Sequence, residues 1–160
     1  MNEEPFLKRL WEVVHESPAT TAEALKLSDA ALQACPWSAE LWYLRGLILD
    51  KCEELPNITR EDYRHCYERA IECDPGFVEA HVALGYTLDV YYDDFPAAES
   101  AFRKAIALGG GEEAYVGLAR VLAQQGRSRS ALRLLHRLQS RKHSTPVQLM
   151  IREIEEGQWG

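Results

Sequence analysis

The stretch "AIECDPGFVEAHVALGYTL", Ala70 to Leu88, decides how the chain is read. Two segments with helical apolar spacing meet at Asp74-Pro75-Gly76. A proline disfavours helix in the residue before it, and a glycine is expected to relieve backbone strain at such a turn. The chain therefore ends one helix and begins another within about three residues.

The same junction recurs. "AELWYLRGLIL" (39–49), "VEAHVALGYTL" (78–88) and "EEAYVGLARVL" (112–122) share a frame. Its fourth residue is a ring, Trp42, His81 or Tyr115, and its eighth is small, Gly46, Gly85 or Ala119. A second frame follows each, in "RHCYERAIECDP" (64–75), "ESAFRKAIALGG" (99–110) and "SALRLLHRLQS" (130–140). It pairs Tyr67 with Ala70, Phe102 with Ala105 and Leu135 with Leu138. Gly46 and Gly85 stand 39 residues apart, Gly85 and Ala119 stand 34 apart, and the extra five fall in a lengthened turn, "DKCEELPNITRED". A leading segment, "TAEALKLSDAALQACPWS" (21–38), carries the second frame alone. Small residues at fixed places let helices approach closely. The pattern predicts a stack of antiparallel helix pairs, each burying its apolar face on the next.

Local signals mark the cuts. Ser38 is placed to cap a helix from Ala39, with Trp37 and Trp42 as a hydrophobic staple, and Thr59 to cap the next, with Ile58 and Tyr63 as its staple. "TPVQ" (145–148) reads as a capping box with proline at the first helical position. The helix after it, about 146–156, sets Val147, Met150, Ile151 and Ile154 on one side and is expected to close the stack.

Composition narrows the function classes. With 160 residues, 46% hydrophobic and 27% charged, the chain has an ordinary globular balance. The net charge of -7 disfavours a nucleic-acid binder. Residues 1–111 hold 10 Lys+Arg against 20 Asp+Glu, and residues 112–160 hold 8 against 5, so the two ends differ in sign. "MNEEPFLKRLWEVV" lacks the apolar run of a signal peptide, and no apolar run approaches a membrane span. Cys35, Cys52, Cys66 and Cys73 form no C-x-x-C pair, and free thiols in a cytoplasmic protein are expected.

No nucleotide-binding, serine-hydrolase or zinc-protease motif occurs, so no enzyme activity and no cofactor are expected. "ALGGGEEAY" follows a helix and precedes two acids, which suits an inter-repeat turn better than a phosphate cradle. His65, Cys66 and Cys73 do not assemble four ligands at a standard zinc spacing, so no metal is expected. Glu53-Glu54 and Glu61-Asp62 flank a turn and read as a solvated charge cluster.

These frames resemble the tetratricopeptide repeat (TPR) family. The second unit matches its pattern at Trp42, Gly46, Tyr67, Ala70 and Pro75, and departs at Arg45 and Tyr63, where Leu and Ala are usual. The third matches at Leu84, Gly85, Ala98, Phe102 and Ala105, and the fourth at Leu118, Ala131 and Leu135. The resemblance implies an all-α, right-handed superhelical stack of antiparallel helix pairs with a C-terminal capping helix. It implies one domain: 1–38 as a degenerate repeat or N-terminal cap, repeats at 39–77, 78–110 and 111–141, and the cap at 145–157.

The resemblance also implies a function. In this family the first helix of each pair lines a concave groove and presents its second, fifth, ninth and twelfth residues to a ligand. Here those are Glu40, Tyr43, Leu47 and Asp50, then Glu79, Val82, Tyr86 and Asp89, then Glu113, Val116 and Arg120, followed by Ala123. The family's groove for a chaperone's C-terminal carboxylate uses Lys and Asn, which are absent here, so that ligand is not expected. An adaptor or chaperone-like module is implied, binding a peptide or a basic amphipathic helix between acids and aromatic rings. The alternative is a self-assembling module, or a binder of an acidic ligand, that uses Arg129, Arg133, Arg137 and Arg141, which recur every fourth residue and so form one helical ridge.

Overall fold

The computed structural model describes residues 3–15, 21–51, 59–140 and 144–159. Among these the chain is helical, with no strand: α1 (Glu4–His15), α2 (Thr21–Ala34), α3 (Ala39–Asp50), α4 (Arg60–Cys73), α5 (Val78–Tyr92), α6 (Phe95–Ala107), α7 (Glu112–Gln124), α8 (Ser128–Gln139) and α9 (Thr145–Glu155). The chain divides into two compact units, residues 1–80 and 81–160.

In the first unit α1 packs on α2 and α3, and α3 packs on α4. The segment before α3 is thus a complete helix pair, although only its second helix carries the repeat pattern. Its core gathers Leu10 and Val14 of α1, Ala24, Ala31 and Leu32 of α2, Cys35 of the following turn, and Leu41, Leu44 and Ile48 of α3. Lys51 Nζ donates to the carbonyl of Val14 at 2.6 Å, tying the ends of α1 and α3. Arg45, where the family has leucine, donates to Ser28 Oγ at 2.8 Å and pairs with Asp29, linking α3 to α2 through polar groups.

The caps follow the sequence closely. Ser38 accepts from the Leu41 N–H at 3.2 Å, as expected. Its neighbour Trp37 is 60% exposed. The Trp42 indole donates to the Pro36 carbonyl at 2.9 Å and meets His65 edge-on, with Arg69 over its face. Thr59 starts α4, its backbone N–H and hydroxyl both donating to Asp62. The expected staple partner Ile58 and the turn acids Glu53-Glu54 lie outside the described residues.

The break after Cys73 is made differently from the expectation. Gly76 does not take a positive φ. The Asp74 carboxylate instead accepts from the Gly76 N–H at 2.8 Å, while the Phe77 N–H reaches the Asp74 carbonyl at 3.1 Å. An aspartate side chain that closes its own turn in this way needs no left-handed residue. Left-handed geometry occurs at Gly126, φ 72°, which ends α7 with Gly126 N–H to Ala123 and Arg127 N–H to Leu122.

In the second unit α7 packs on α6, α8 and α9. The ring of Phe102, with no solvent exposure, sets the spacing. A Cβ added at Gly85 would lie 2.9 Å from it, and one at Gly117 would lie 2.4 Å from it. Gly46 meets Tyr67 in the same way in the first unit, at 2.4 Å. The small eighth residue of the frame thus has its predicted role at Gly46 and Gly85. In α7 the ring falls on Gly117, and Ala119, the eighth residue, is fully buried. Asp94 caps α6 by accepting from Ala97, and Pro96 sits in its first turn. "ALGGGEE" is the turn from α6 to α7, closed by the Gly110 N–H on Ala105 at 2.8 Å.

The last helix buries Val147, Ile151 and Ile154, as its spacing predicts. Its N-cap is Ser144, one residue earlier than expected. The Ser144 hydroxyl donates to Glu112 of α7 instead of closing a capping box. Among the described residues no helix is long and apolar enough to cross a membrane.

Candidate functional site

Eleven side chains were expected to share a binding face, and the structure gives them unequal parts. In the first unit Glu40 and Glu79 are both exposed. The Glu40 carboxyl is raised above its ordinary value, by burial first and then by the charges of Glu3 and Glu79. Glu3 had no place in the repeat frame and joins this acidic group. Tyr43 is half-buried, edge-on to Phe77 at 5.3 Å between ring centres and tilted against Tyr67 at 6.1 Å. Leu47 packs against the core of that unit, and Asp50 ends α3 half-buried.

In the second unit Val82 is buried, while Tyr86 and Val116 are half-buried. The Tyr86 ring meets Phe102 edge-on at 5.0 Å, and its hydroxyl donates to the Glu113 carbonyl at 3.2 Å. Burial, reinforced by the charge of Glu113, pushes that phenol up to about 12. The Glu113 side chain itself is exposed.

Asp89 departs from the expectation of a rim acid. Its side chain has no solvent exposure. Arg120 Nε stands 3.0 Å from one of its oxygens, and Gln124 donates to the other at 2.9 Å. The expected acid and the expected base have therefore found each other, and Asp89 offers no free charge to a ligand. Burial raises its pKa, opposed by Arg120 and Gln124. Arg120 also lies 5.5 Å from the ring centre of Trp159, beyond the last helix. No helical period pointed to Trp159 or Gln124.

The arginine ridge is on α8. Arg129, Arg133 and Arg137 are exposed, and Arg141 lies outside the described residues. Arg133 and Arg137 line a cleft of about 330 Å³ together with Arg103 of α6 and Arg127 of the α7–α8 turn. Glu99 pairs with both Arg103, at 2.8 Å, and Arg127, at 2.7 Å. Burial acts to raise the Glu99 carboxyl, but the Arg103 hydrogen bond and the two guanidinium charges outweigh it and leave it lowered.

Cys66 is buried, and burial pushes its thiol up to about 12. Among the described residues no cluster of His, Cys, Asp and Glu could hold a metal ion.

Stacked helix pairs that touch through glycine and a ring define an α-solenoid repeat protein. Residues 66–100 match the family model of the tetratricopeptide repeat. Solved structures share the fold. The crystal structure of MamA is 17% identical, with a TM-score of 0.69 over 97% of this chain and 76% of that one. TTC0263, a thermophilic TPR protein of Thermus thermophilus, is 14% identical, with a TM-score of 0.72 over 98% of this chain and 82% of that one. YrrB, a TPR protein with an unusual peptide-binding site, is 17% identical, with a TM-score of 0.69 over 98% and 87%. The family match covers 35 of the 160 residues, and at these identities the likeness to solved structures is one of fold. No curated protein matches it in sequence.

Proposed function

We propose that the chain is a protein-binding module that takes a basic amphipathic segment on the first helices of its repeats. The observation that carries this reading is Tyr86. Its ring is pinned by Phe102 and its hydroxyl by the Glu113 carbonyl, yet it stays half-exposed one helical turn from Val82. A ring already fixed in place loses little entropy when a ligand covers it, and tyrosine is favoured at interface hot spots. Tyr43 is held similarly against Phe77 and Tyr67. Glu40, Glu79 and Glu113 supply the charge. The crowding of acids around Glu40 favours a ligand with Lys or Arg beside its apolar anchors. Asp89 has no part in this, because Arg120 already neutralises it. A peptide-binding site in YrrB, which shares the fold, agrees with a peptide ligand.

The test uses a synthetic amphipathic helix of lysine and leucine as probe, with association and dissociation rates measured at low and high salt. Tyr86→Ala should speed dissociation about 30-fold, the equivalent of about 2 kcal/mol. Glu79→Lys should slow association and blunt its salt dependence. If both variants, shown to be folded, bind the probe like the parent, the reading fails.

A further inference from the structure

We propose that the cleft between α6 and α8 is a second binding site, for an acidic peptide segment. Four guanidiniums line it, from Arg103, Arg127, Arg133 and Arg137. One carboxylate, Glu99, serves two of them. Among the described residues no carboxylate pairs with Arg133 or Arg137. Arg133 donates to the Ser130 hydroxyl at 3.3 Å. The cleft is thus an uncompensated cationic site on a chain whose net charge is -7.

The floor tells which anion fits. Leu118 and Leu122 are only 2% and 3% exposed, so little apolar area is left to bury and recognition must come from charge. Arg133 and Arg137 are one helical turn apart, about 5–6 Å between Cβ atoms. Each guanidinium presents a planar fork that matches a carboxylate. Two forks at that spacing suit two carboxylates one turn apart on a helical peptide. A single phosphate would not span them as well. The half-buried Leu134, between the two arginines, gives such a peptide one apolar shoulder. Arg129 continues the ridge but does not line the cleft, and so separates binding in the cleft from attraction to the whole ridge.

The probe is a fluorescent helical peptide with glutamates four residues apart, compared with the same peptide carrying glutamines, both followed by anisotropy. The parent should bind the glutamate peptide and not the glutamine one. Arg133→Gln with Arg137→Gln should weaken binding at least tenfold, with melting unchanged. Arg129→Gln, the loss of one charge next to the cleft, should leave affinity within twofold, and Tyr86→Ala should leave it unaffected. The site is overturned if the glutamine peptide binds as well, if Arg129→Gln costs as much as the double variant, or if no binding is seen. Displacement of the peptide by inorganic phosphate at equal concentration would overturn the carboxylate assignment. Self-association of the parent that the double variant abolishes would make the occupant a second copy and overturn the peptide assignment.

Discussion

Arg120 of α7 closes on Asp89 of α5, Nε to Oδ2 at 3.0 Å, around a carboxylate with no solvent exposure. Removing one partner of such a pair leaves a buried charge unmatched, which costs about 3–5 kcal/mol. Arg120→Ala should lose stability on that scale in urea unfolding. Arg120→Gln with Asp89→Asn together should lose clearly less, because neither variant side chain is charged. A loss below about 1 kcal/mol for Arg120→Ala would show that water reaches Asp89.

The same carboxylate sets a pH dependence. Burial raises the Asp89 pKa above its ordinary 3.8, with Asp93 adding to the effect and Arg120 and Gln124 opposing it. Between 3.8 and the raised value the folded state holds a proton that the unfolded state releases. Stability from this group therefore falls as pH rises through that window and is level above it. Glu99, lowered in the fold, acts oppositely: its contribution is present above 4.5 and lost as pH falls through its folded value. Subtracting the Asp89→Asn curve from the parent curve isolates the first effect, since Glu99 is unchanged in both. The difference should slope downward with rising pH. An upward slope would mean that Arg120 outweighs burial.

The helix pairs were legible because helical period and close-contact residues are local signals. Ser38, Gly46, Gly85 and the buried side of α9 all lie where the spacing put them. Depth was not legible. The family resemblance assigns Glu79 and Asp89 to one face of α5, but one is exposed and the other buried. The difference is made by Arg120 and Gln124, more than thirty residues away. The same holds for Glu99, whose role depends on Arg127 across 28 residues. Trp159 follows the last helix and belongs to no repeat frame, so nothing local linked it to Arg120.

Phe102 gives a steric prediction. A Cβ at Gly117 would meet its Cε1 at 2.4 Å, and one at Gly85 would meet it at 2.9 Å. Gly117→Ala should destabilise by about 1–3 kcal/mol, and Gly85→Ala by less. Pairing Gly117→Ala with Phe102→Leu should cost less than the two single changes added, because the smaller side chain frees the space. Strict additivity in thermal melts would mean that the ring and the glycine do not share that contact.

Thiol chemistry tests the core from another direction. Cys35 has no solvent exposure and Cys66 only 2%, and burial pushes the Cys66 thiol up to about 12, with Arg45 acting to lower it. Attack on a disulfide reagent needs the thiolate, so at about pH 8 Cys66 is blocked by both its charge state and its access. Cys73, at the end of α4, is half-buried with its sulfur 3.9 Å from the Pro36 carbonyl, and is the more accessible thiol. In a Cys52→Ser background, which removes the cysteine outside the described residues, one thiol should react rapidly, and Cys73→Ser should abolish that phase. The other two should react only as fast as the first unit opens, and urea should make them as fast as a free thiol. A rapid phase that survives Cys73→Ser would mean that water reaches Cys35 or Cys66, and the packing of α2, α3 and α4 would then be looser than the structure has it.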